Sequence, residues 1–433
     1  MAWDFSTPPE LDARLRWVED FVRDDIELVD HLVGDPRDLS DPVRNEVIRP
    51  LQARVKEAGL WAIHVPEELG GGGAGAIEVA LINEILGRST CAPTVFGCQS
   101  PDAGNLEILG RFGSDEIKRT YMEPLVNGEI VSAFSATEPQ GGSDPTTYRT
   151  TAVADGDEYV INGEKWMVSG GDYAAFHVVM AITDPDAGRH RNMSLFVVPR
   201  ETPGVEVIRN VHEFGRPSYE HHSYLRYHDV RVPARNMLGP RGDAFGVMQA
   251  RMGIARLLLG MRSVGAVRRA IEMMCERVLS RSVHEELLAE KQLVQAMIAE
   301  SWIELEQFRL LVLQAAWKVE QLGNTRALRT DVSATKVVTG RIMQRVAQRA
   351  IQVHGSLGVT PEVPFVQMLM EGLTYAIGDG PTEVHLTTVA RDVLKGCRPT
   401  EGMFPSQHSE TMRARAEERF ADALSAAGVQ ATR

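Results

Sequence analysis

Two segments of the chain carry residues that could move a proton or hold a flat ligand. Asp379, in the segment IGDGPTEVH, supplies a carboxylate, which can act as a general base against a weakly acidic C–H group. Residues 134–144, FSATEPQGGSD, combine glycines with small side chains, which allow a backbone to approach a ligand closely. Taken alone, each segment is better interpreted as an ordinary turn, because Asp-Gly and Gly-Gly pairs are frequent in loops.

Two further segments suggest a phosphate site and a metal site. Residues 66–75, PEELGGGGAG, are rich in glycine, but no Gly-Lys-Ser/Thr triplet follows, so a flexible turn is favoured over a nucleotide loop. His212, His221, His222 and His228 lie close together in the sequence. They fall in a predicted strand–loop–strand surface, and no metal is expected there.

Composition narrows the classes of function. The chain has 433 residues and a net charge of −13, from 59 acidic and 46 basic residues, which argues against nucleic-acid binding. No apolar run is long enough for a membrane span, and residues 1–12 lack the features of a secretory signal. The four cysteines form no C-x-x-C pair. A reduced, cytoplasmic location is therefore expected.

Hydrophobic periodicity predicts the elements that would position these candidates. Apolar residues recur at helical spacing over residues 11–127, and short β-rich runs separated by turns follow over residues 130–239. DGDEY and INGEKW are interpreted as tight hairpin connections. Long helical patterns return over residues 243–395, which predicts an antiparallel bundle. The expected fold class is α+β, with an N-terminal all-α domain (1–129), a middle antiparallel β domain (130–240), a C-terminal four-helix bundle (241–398) and a helical or frayed tail (399–433).

Several motifs in one order resemble the acyl-CoA dehydrogenase family over about residues 51–395. They are residues 104–147, INGEKWMVSGG (161–171), residues 214–233, ARMGIARLLLGMRSVG (250–265) and the stretch from AIQVHG (350–355) to Leu394. The ending GDGPTEVH is similar to the branch that contains family members 10 and 11. The resemblance implies an FAD-dependent enzyme of the same helix–sheet–helix fold, acting on acyl-CoA and passing electrons to an electron-transfer flavoprotein.

The resemblance also assigns roles to individual residues. It makes Asp379 the base that removes the thioester α-proton while the β-hydride reaches flavin N5, and it lets Ser169 hydrogen-bond N5. Trp166 could instead be ordinary core packing, and Arg256 could be a solvated helix arginine. The implied substrate-binding residues are Ser143, Arg256, Asp379 and Gly380. The implied FAD-binding residues are Phe134, Ala136, Thr137, Gly142, Ser143, Met167, Val168, Ser169, Arg281, Gln292, Gln352, Gly355, Gly380 and Thr382.

The chain departs from the family pattern after Arg281. Glu285 and Glu286 follow where the family reaches the FAD diphosphate of a neighbouring subunit, and like charge there is unfavourable. Ser356 stands where a second glycine is usual. A homodimer or homotetramer is expected, with a paralogous partner subunit as an alternative. A flavin oxidase of acyl-CoA or a nitroalkane, and a non-catalytic acyl-CoA-binding subunit, also stay open. Acyl chain length is not determined.

Overall fold

The computed structural model describes residues 5–188, 190–215, 222–322, 328–400 and 402–428. Its internal contacts divide the chain into two units, residues 1–388 and 389–433. His221, one of the four clustered histidines, lies outside the described residues.

The N-terminal part of the first unit is helical, as predicted. Asp41 caps one helix by accepting a hydrogen bond from the Val43 backbone N–H (2.8 Å), and Pro42 occupies its first position. The helices enclose a core that includes Val18, Phe21 and Ile48. They are α1 (Pro9–Phe21), α2 (Glu27–Val29), α3 (Pro42–Glu57), α4 (Ala76–Leu86), α5 (Ala92–Val95), α6 (Asp102–Phe112), α7 (Asp115–Ile117) and α8 (Glu123–Val126). The glycine-rich stretch 70–75 is a loop before α4.

A mostly antiparallel sheet follows. Its strands are β1 (Ser132–Ser135), β2 (Thr151–Asp155), β3 (Glu158–Ser169), β4 (Phe176–Ile182), β5 (Met193–Pro199), β6 (Val205–Val211), β7 (His222–Pro233) and β8 (Met237–Leu238). The main path runs β6-β7-β3-β2-β4-β5-β8, and β1 pairs with β4. The pairings β1–β4 and β2–β4 are parallel, a departure from the expected antiparallel pattern. β4 is apolar almost throughout, because both of its faces are buried.

One hairpin prediction is confirmed and the other is wrong. Asp155 pairs with Glu158 across Gly156 and Asp157, so DGDEY is a two-residue hairpin. INGEKW, in contrast, lies inside β3 and forms no turn. Its glycine coincides with a register shift between Ile161 and Gly163, so the residue marks a β-bulge against β7.

The C-terminal part of the first unit is the predicted helical bundle. Its long helices are α9 (Ala244–Ser280), α10 (Gln292–Leu322), α11 (Arg329–His354) and α12 (Phe365–Ile377). Residues such as Met261, Phe308 and Val346 form their shared core. A two-stranded ribbon, β9 (Ser282–Val283) and β10 (Glu286–Leu287), joins α9 to α10.

The remaining helices are α13 (Thr382–Lys395), α14 (Ser409–Arg419) and α15 (Ala421–Ala426). The last two lie in the second unit, where a helical or frayed tail is expected. Among the described helices, none is both long and apolar enough to cross a membrane.

Candidate active site

Asp379 lies in a strained turn between α12 and α13. Its φ is 54°, in the left-handed region that residues other than glycine rarely adopt. Gly380 follows at φ 99°, and a Cβ atom on it would lie 2.9 Å from the His385 Nε2 atom. Glycine is therefore required at position 380. Left-handed residues of this kind cluster at functional sites, where surrounding contacts hold them in place.

Hydrogen bonds to the Asp379 carbonyl oxygen hold the turn. Arg256, on α9, donates to this oxygen from Nε (3.2 Å) and Nη2 (2.7 Å). His385 Nε2 lies 3.3 Å from the same oxygen, and His385 Nδ1 lies 3.1 Å from Ser333 Oγ. Burial lowers the pKa of His385 to about 4, so the imidazole is neutral at neutral pH. With Nε2 donating to the carbonyl, Nδ1 is left to accept from the Ser333 hydroxyl.

The Asp379 carboxylate differs from its carbonyl group. No hydrogen bond or ion pair to this carboxylate occurs within the part of the chain that the structure describes. The cationic side chains of Arg251, Arg256 and Lys336 are close enough to interact with it electrostatically. The group is thus fixed through its backbone, while its oxygens stay available to take a proton.

Lys336 supports the same turn from α11. Its Nζ donates to the Tyr375 carbonyl oxygen and lies 3.5 Å from the Gly380 carbonyl oxygen. Burial lowers the Lys336 pKa to about 8. Thr382 closes the turn by donating to the Ala376 carbonyl oxygen (3.1 Å).

A buried ion pair joins the two segments that were predicted to bind the flavin ring. Lys165 Nζ donates to the Ala136 carbonyl oxygen (2.7 Å) and to Glu138 Oε1 (2.9 Å), and both side chains are almost fully buried. Burial lowers the pKa of Lys165 to about 8. The Trp166 backbone N–H donates to the Thr137 carbonyl oxygen (2.9 Å). The loop after β1 is therefore tied to the end of β3.

Glu138 is also fixed by the chain that follows the loop. It accepts hydrogen bonds from the backbone N–H groups of Arg149 (2.6 Å) and Thr150 (2.9 Å). Burial alone would raise its pKa, but Lys165 and these donors outweigh that effect and hold the pKa below its usual value. The pair is therefore charged at neutral pH.

The end of β3 has unusual backbone geometry. Met167 has φ 56°, and the register with β7 shifts between Lys165 and Val168. Side chains of Trp166, Met167 and Ser169 are half-buried, whereas Val168 is buried. Trp166 meets Tyr224 edge-on, with ring centroids 5.4 Å apart, so it is a partly exposed aromatic side chain rather than a core residue.

A line of polar contacts runs from β3 to α12. Ser169 Oγ lies 3.1 Å from His222 Nδ1, and His222 Nε2 lies 3.3 Å from Glu213. Glu213 in turn accepts from Thr374 Oγ1 (3.2 Å), and its pKa is lowered by the hydrogen bond from His222. His222 therefore links Ser169 to Glu213 in this series of polar contacts. Within the described ranges, no group of three or more histidine, cysteine or acidic side chains could hold a metal ion.

Phe134 connects the loop after β1 to α9. The guanidinium carbon of Arg251 lies 4.1 Å from the centroid of the Phe134 ring. Arg256, five residues further along α9, reaches the Asp379 turn. The structure thus brings Phe134, Ala136 and Thr137 together with residues 165–169 and Asp379 in one region. Gly142 and Ser143 lie on the exposed part of the same loop, where Tyr148 donates to the Gly142 carbonyl oxygen (3.2 Å).

The remaining predicted cofactor residues lie elsewhere. Arg281, Gln292, Gln352 and Gly355 are exposed near the opposite end of the bundle. Arg256 and Arg281 are separated by roughly 37 Å along α9, at 1.5 Å per residue. Within one chain, these residues do not join the site around Asp379.

The ribbon after Arg281 modifies the charge argument made from the sequence. His284 and Glu285 form its turn with φ values of 53° and 66°. Glu286 makes an ion pair with Lys291, so its negative charge has a local partner. Glu285 has no ion pair among the described residues, so the repulsion expected from the sequence would come from its charge rather than from that of Glu286.

Several residues of this region were not predicted from the sequence. Glu138 and Lys165 lie within the quoted motifs, but both segments are rich in polar residues, so nothing local indicated that the two charges would be buried together. Arg251 and His385 also lie within quoted motifs, and Lys336 lies outside them. None of the three was predictable from its local pattern, because single charged residues in amphipathic helices are usually solvated.

Comparison with known proteins identifies the family. The acyl-CoA dehydrogenase N-terminal, middle and C-terminal domains match residues 12–129, 133–230 and 242–394. The chain is 40% identical over 359 residues to the probable acyl-CoA dehydrogenase FadE2 of Mycobacterium tuberculosis, covering 82% of this chain and 87% of that protein. A structure of a putative acyl-CoA dehydrogenase from Mycobacterium abscessus has a TM-score of 0.85 at 35% identity, covering 90% of this chain and all of the other. The chain belongs to the acyl-CoA dehydrogenase family.

The predicted branch is confirmed as well. Mouse acyl-CoA dehydrogenase family member 11 is 38% identical over 355 residues, and mouse member 10 is 38% identical over 358 residues. Each alignment covers 81% of this chain but only 45% and 33% of the two mouse proteins. The chain therefore spans less than half the length of these relatives.

Proposed function

We propose that this member of the acyl-CoA dehydrogenase family is an FAD-dependent enzyme that forms an α,β double bond in an acyl-CoA thioester. The observation that carries the proposal is the backbone conformation of Asp379 together with the hydrogen bonding of its carbonyl and carboxylate groups. Its backbone is held in a left-handed turn by Arg256 and His385, while its carboxylate has no partner among the described residues. That arrangement suits a general base, which must be positioned and yet free to accept a proton.

The residues around Asp379 fit an FAD ring. Half-buried Phe134, Thr137, Met167 and Ser169 lie on or beside the two segments that Lys165 ties together, and Met167 adopts a left-handed φ there. FAD, when bound, would accept the hydride that leaves the β-carbon. Asp379 removes the α-proton in our proposal, and Lys165 holds the loop against β3. Arg256 and His385 keep the base from swinging away from the substrate.

The proposal includes an oligomeric assembly, because the predicted cofactor residues fall into two groups that lie far apart in one chain. Arg281, Gln292, Gln352 and Gly355 are too far along the bundle to act with Asp379 of the same chain. We infer that they serve the cofactor of a second copy in a homodimer or homotetramer. A paralogous partner is the alternative, favoured by exposed Glu285 near the inferred diphosphate position. An electron-transfer flavoprotein is the proposed acceptor, and a cytoplasmic location is likewise a proposal.

The test is the absorbance spectrum of the purified protein. We expect FAD in about equal amount to the chain in a homo-oligomer, and loss of the flavin absorbance when an acyl-CoA is added without oxygen. Short, long and branched acyl-CoA substrates would define the acyl group. Oxygen uptake without an added acceptor would instead indicate an oxidase. A colourless protein that binds acyl-CoA without reaction would contradict the enzymatic proposal, and FAD that appears only with a paralogous subunit would contradict the homo-oligomer.

We expect Arg256→Met to lower kcat about 10- to 100-fold with little change in KM for acyl-CoA. The substitution removes two hydrogen bonds from a cation, worth about 1.5–3 kcal/mol each when buried, from the turn that carries the base. Arg256→Lys keeps the charge but loses the paired geometry, so it should restore only part of kcat. Steady-state kinetics distinguish positioning of the Asp379 turn from substrate binding. An increase in KM at unchanged kcat would assign Arg256 to substrate binding instead.

A further inference from the structure

Arg251 is a buried arginine whose two Nη atoms have no hydrogen-bond acceptor among the described residues. It lies on α9 with 6% of its surface exposed, and its Nε donates to Asn105 Oδ1 (2.9 Å). Its guanidinium covers the ring of Phe134 at 4.1 Å. Neither Nη atom has a hydrogen-bond acceptor among the described residues. A buried guanidinium normally uses these donors, because leaving them unpaired is costly.

The neighbouring acids do not neutralise Arg251. Asp102, Glu107 and Asp379 are near enough to influence it, but none forms an ion pair with it within 4.0 Å in the described structure. Asp102 accepts from the Ser132 backbone N–H (2.8 Å) and hydroxyl (2.6 Å), and it also pairs with Arg37. Its oxygens are thus already committed to other donors.

Glu107 contributes little negative charge. It lies 3.5 Å from Arg111, and burial raises its pKa to about 7, so a substantial fraction is protonated at neutral pH. Arg256 adds a second positive charge on the same helix. With Asp102 paired to Arg37 and Glu107 partly protonated, Asp379 is the full negative charge among these acids that faces both Arg251 and Arg256. Positive charge therefore still exceeds negative charge around Arg251, and an arriving anion would be stabilised there.

The position of Arg251 connects this charge to the proposed reaction site. The side chain lies against Phe134 of the proposed cofactor loop and within electrostatic reach of Asp379. On α6, Gly104 makes room for it, since a Cβ atom at that position would lie 2.9 Å from Arg251 Cγ. The packing of α6 thus accommodates a large cationic side chain beside the proposed acyl site.

We propose that Arg251 binds a carboxylate at the far end of the acyl group, so that the preferred substrates are CoA monothioesters of dicarboxylic acids. The proposal rests on the function proposed above, because it places the acyl chain beside Asp379. Two terminal guanidinium nitrogens can hold one carboxylate through parallel hydrogen bonds. Arg251 would then act as a specificity-determining residue, separate from the base and from the residues that position it.

The experiment uses CoA thioethers, which lack the thioester carbonyl group and cannot react. Matched series of short and medium chain length would end in a methyl, a hydroxymethyl or a carboxylate group. Isothermal titration of the FAD-loaded protein should show about 10- to 100-fold tighter binding of the carboxylate form than of the methyl form at the best chain length. Arg251→Met should bring this ratio close to one.

Two further variants separate charge recognition from general damage. Arg251→Lys keeps the charge and should retain part of the preference. Arg235→Met removes a 62% exposed arginine that pairs with Glu116, away from the residues of this proposal, and should leave the ratio at its wild-type value. If Arg251→Met does not fold, the wild-type protein and Arg251→Lys still give the ratio that decides the question.

Three results would overturn the proposal. The wild-type protein could show no preference at any chain length, or bind the hydroxymethyl form as tightly as the carboxylate form. Arg251→Met could also lose FAD while keeping the ratio, which would assign the guanidinium to the cofactor. Because thioethers bind without turnover, a preference for carboxylate in a protein that desaturates nothing would defeat only the proposed function. Desaturation without any preference would defeat only the role of Arg251.

Discussion

Asp379→Asn is expected to abolish bleaching of the flavin by acyl-CoA while FAD stays bound. An amide has nearly the shape of the carboxylate but cannot take the α-proton, so the rate should fall by about 10²–10⁴-fold or more. The fold should tolerate the change, because asparagine adopts left-handed φ values more readily than most residues and Asp379 has φ 54°. The hydrogen bonds of Arg256 and His385 go to the backbone oxygen, which the substitution keeps.

The measurement is stopped-flow absorbance of the flavin after mixing with acyl-CoA under anaerobic conditions. Glu383→Gln is the matched control, since Glu383 is an exposed acid in the first turn of α13 and should bleach like the wild-type protein. Asp379→Glu retains a carboxylate at a shifted position and should keep partial activity. Rapid bleaching in Asp379→Asn would remove Asp379 from the role of base.

Lys165→Met should destabilise the protein by about 3–5 kcal/mol and cause loss of FAD. The substitution leaves Glu138 charged and buried without its cation, which is the costly way to break a buried pair. It also removes the hydrogen bond to the Ala136 carbonyl oxygen that ties the loop after β1 to β3. Because both segments border the proposed flavin site, their separation should lower the affinity for FAD along with stability.

Urea unfolding and the ratio of flavin to protein absorbance measure the two effects. The double variant Lys165→Met/Glu138→Gln should be less destabilised than the sum of its single variants, because it leaves no lone buried charge. Arg235→Met is the control for an exposed pair. Arg235 and Glu116 are 62% and 54% exposed, so its cost should stay below about 1 kcal/mol. If Lys165→Met has wild-type stability and binds as much FAD as the wild-type protein, the buried Lys165–Glu138 pair is dispensable.

The glycines of β3 and the Asp379 turn show where local patterns succeed and fail. DGDEY was predicted correctly as a hairpin, because a two-residue turn depends on the residues within it. INGEKW has a similar composition, yet it continues the strand as a bulge. The two glycines differ in their pairing: β7 pairs with INGEKW at Ile161, Gly163 and Glu164, from about 60 residues further along the chain, whereas Gly156 has no partner among the described residues of β7. Pairing over such distances is not visible in a short window of sequence.

The sequence by itself determined the order of helices, sheet and helices, because hydrophobic periodicity is a local property. It also made Asp379 and the loop at residues 134–144 candidates, because their contiguous motifs resemble those of one family in the same order. Only the tertiary structure placed Arg256 and His385 on the Asp379 carbonyl, joined Lys165 to Glu138 and buried Arg251 beside Phe134. These contacts depend on which distant residues share a low-dielectric interior. Burial there turns an ordinary arginine, lysine or histidine into one that must have a partner.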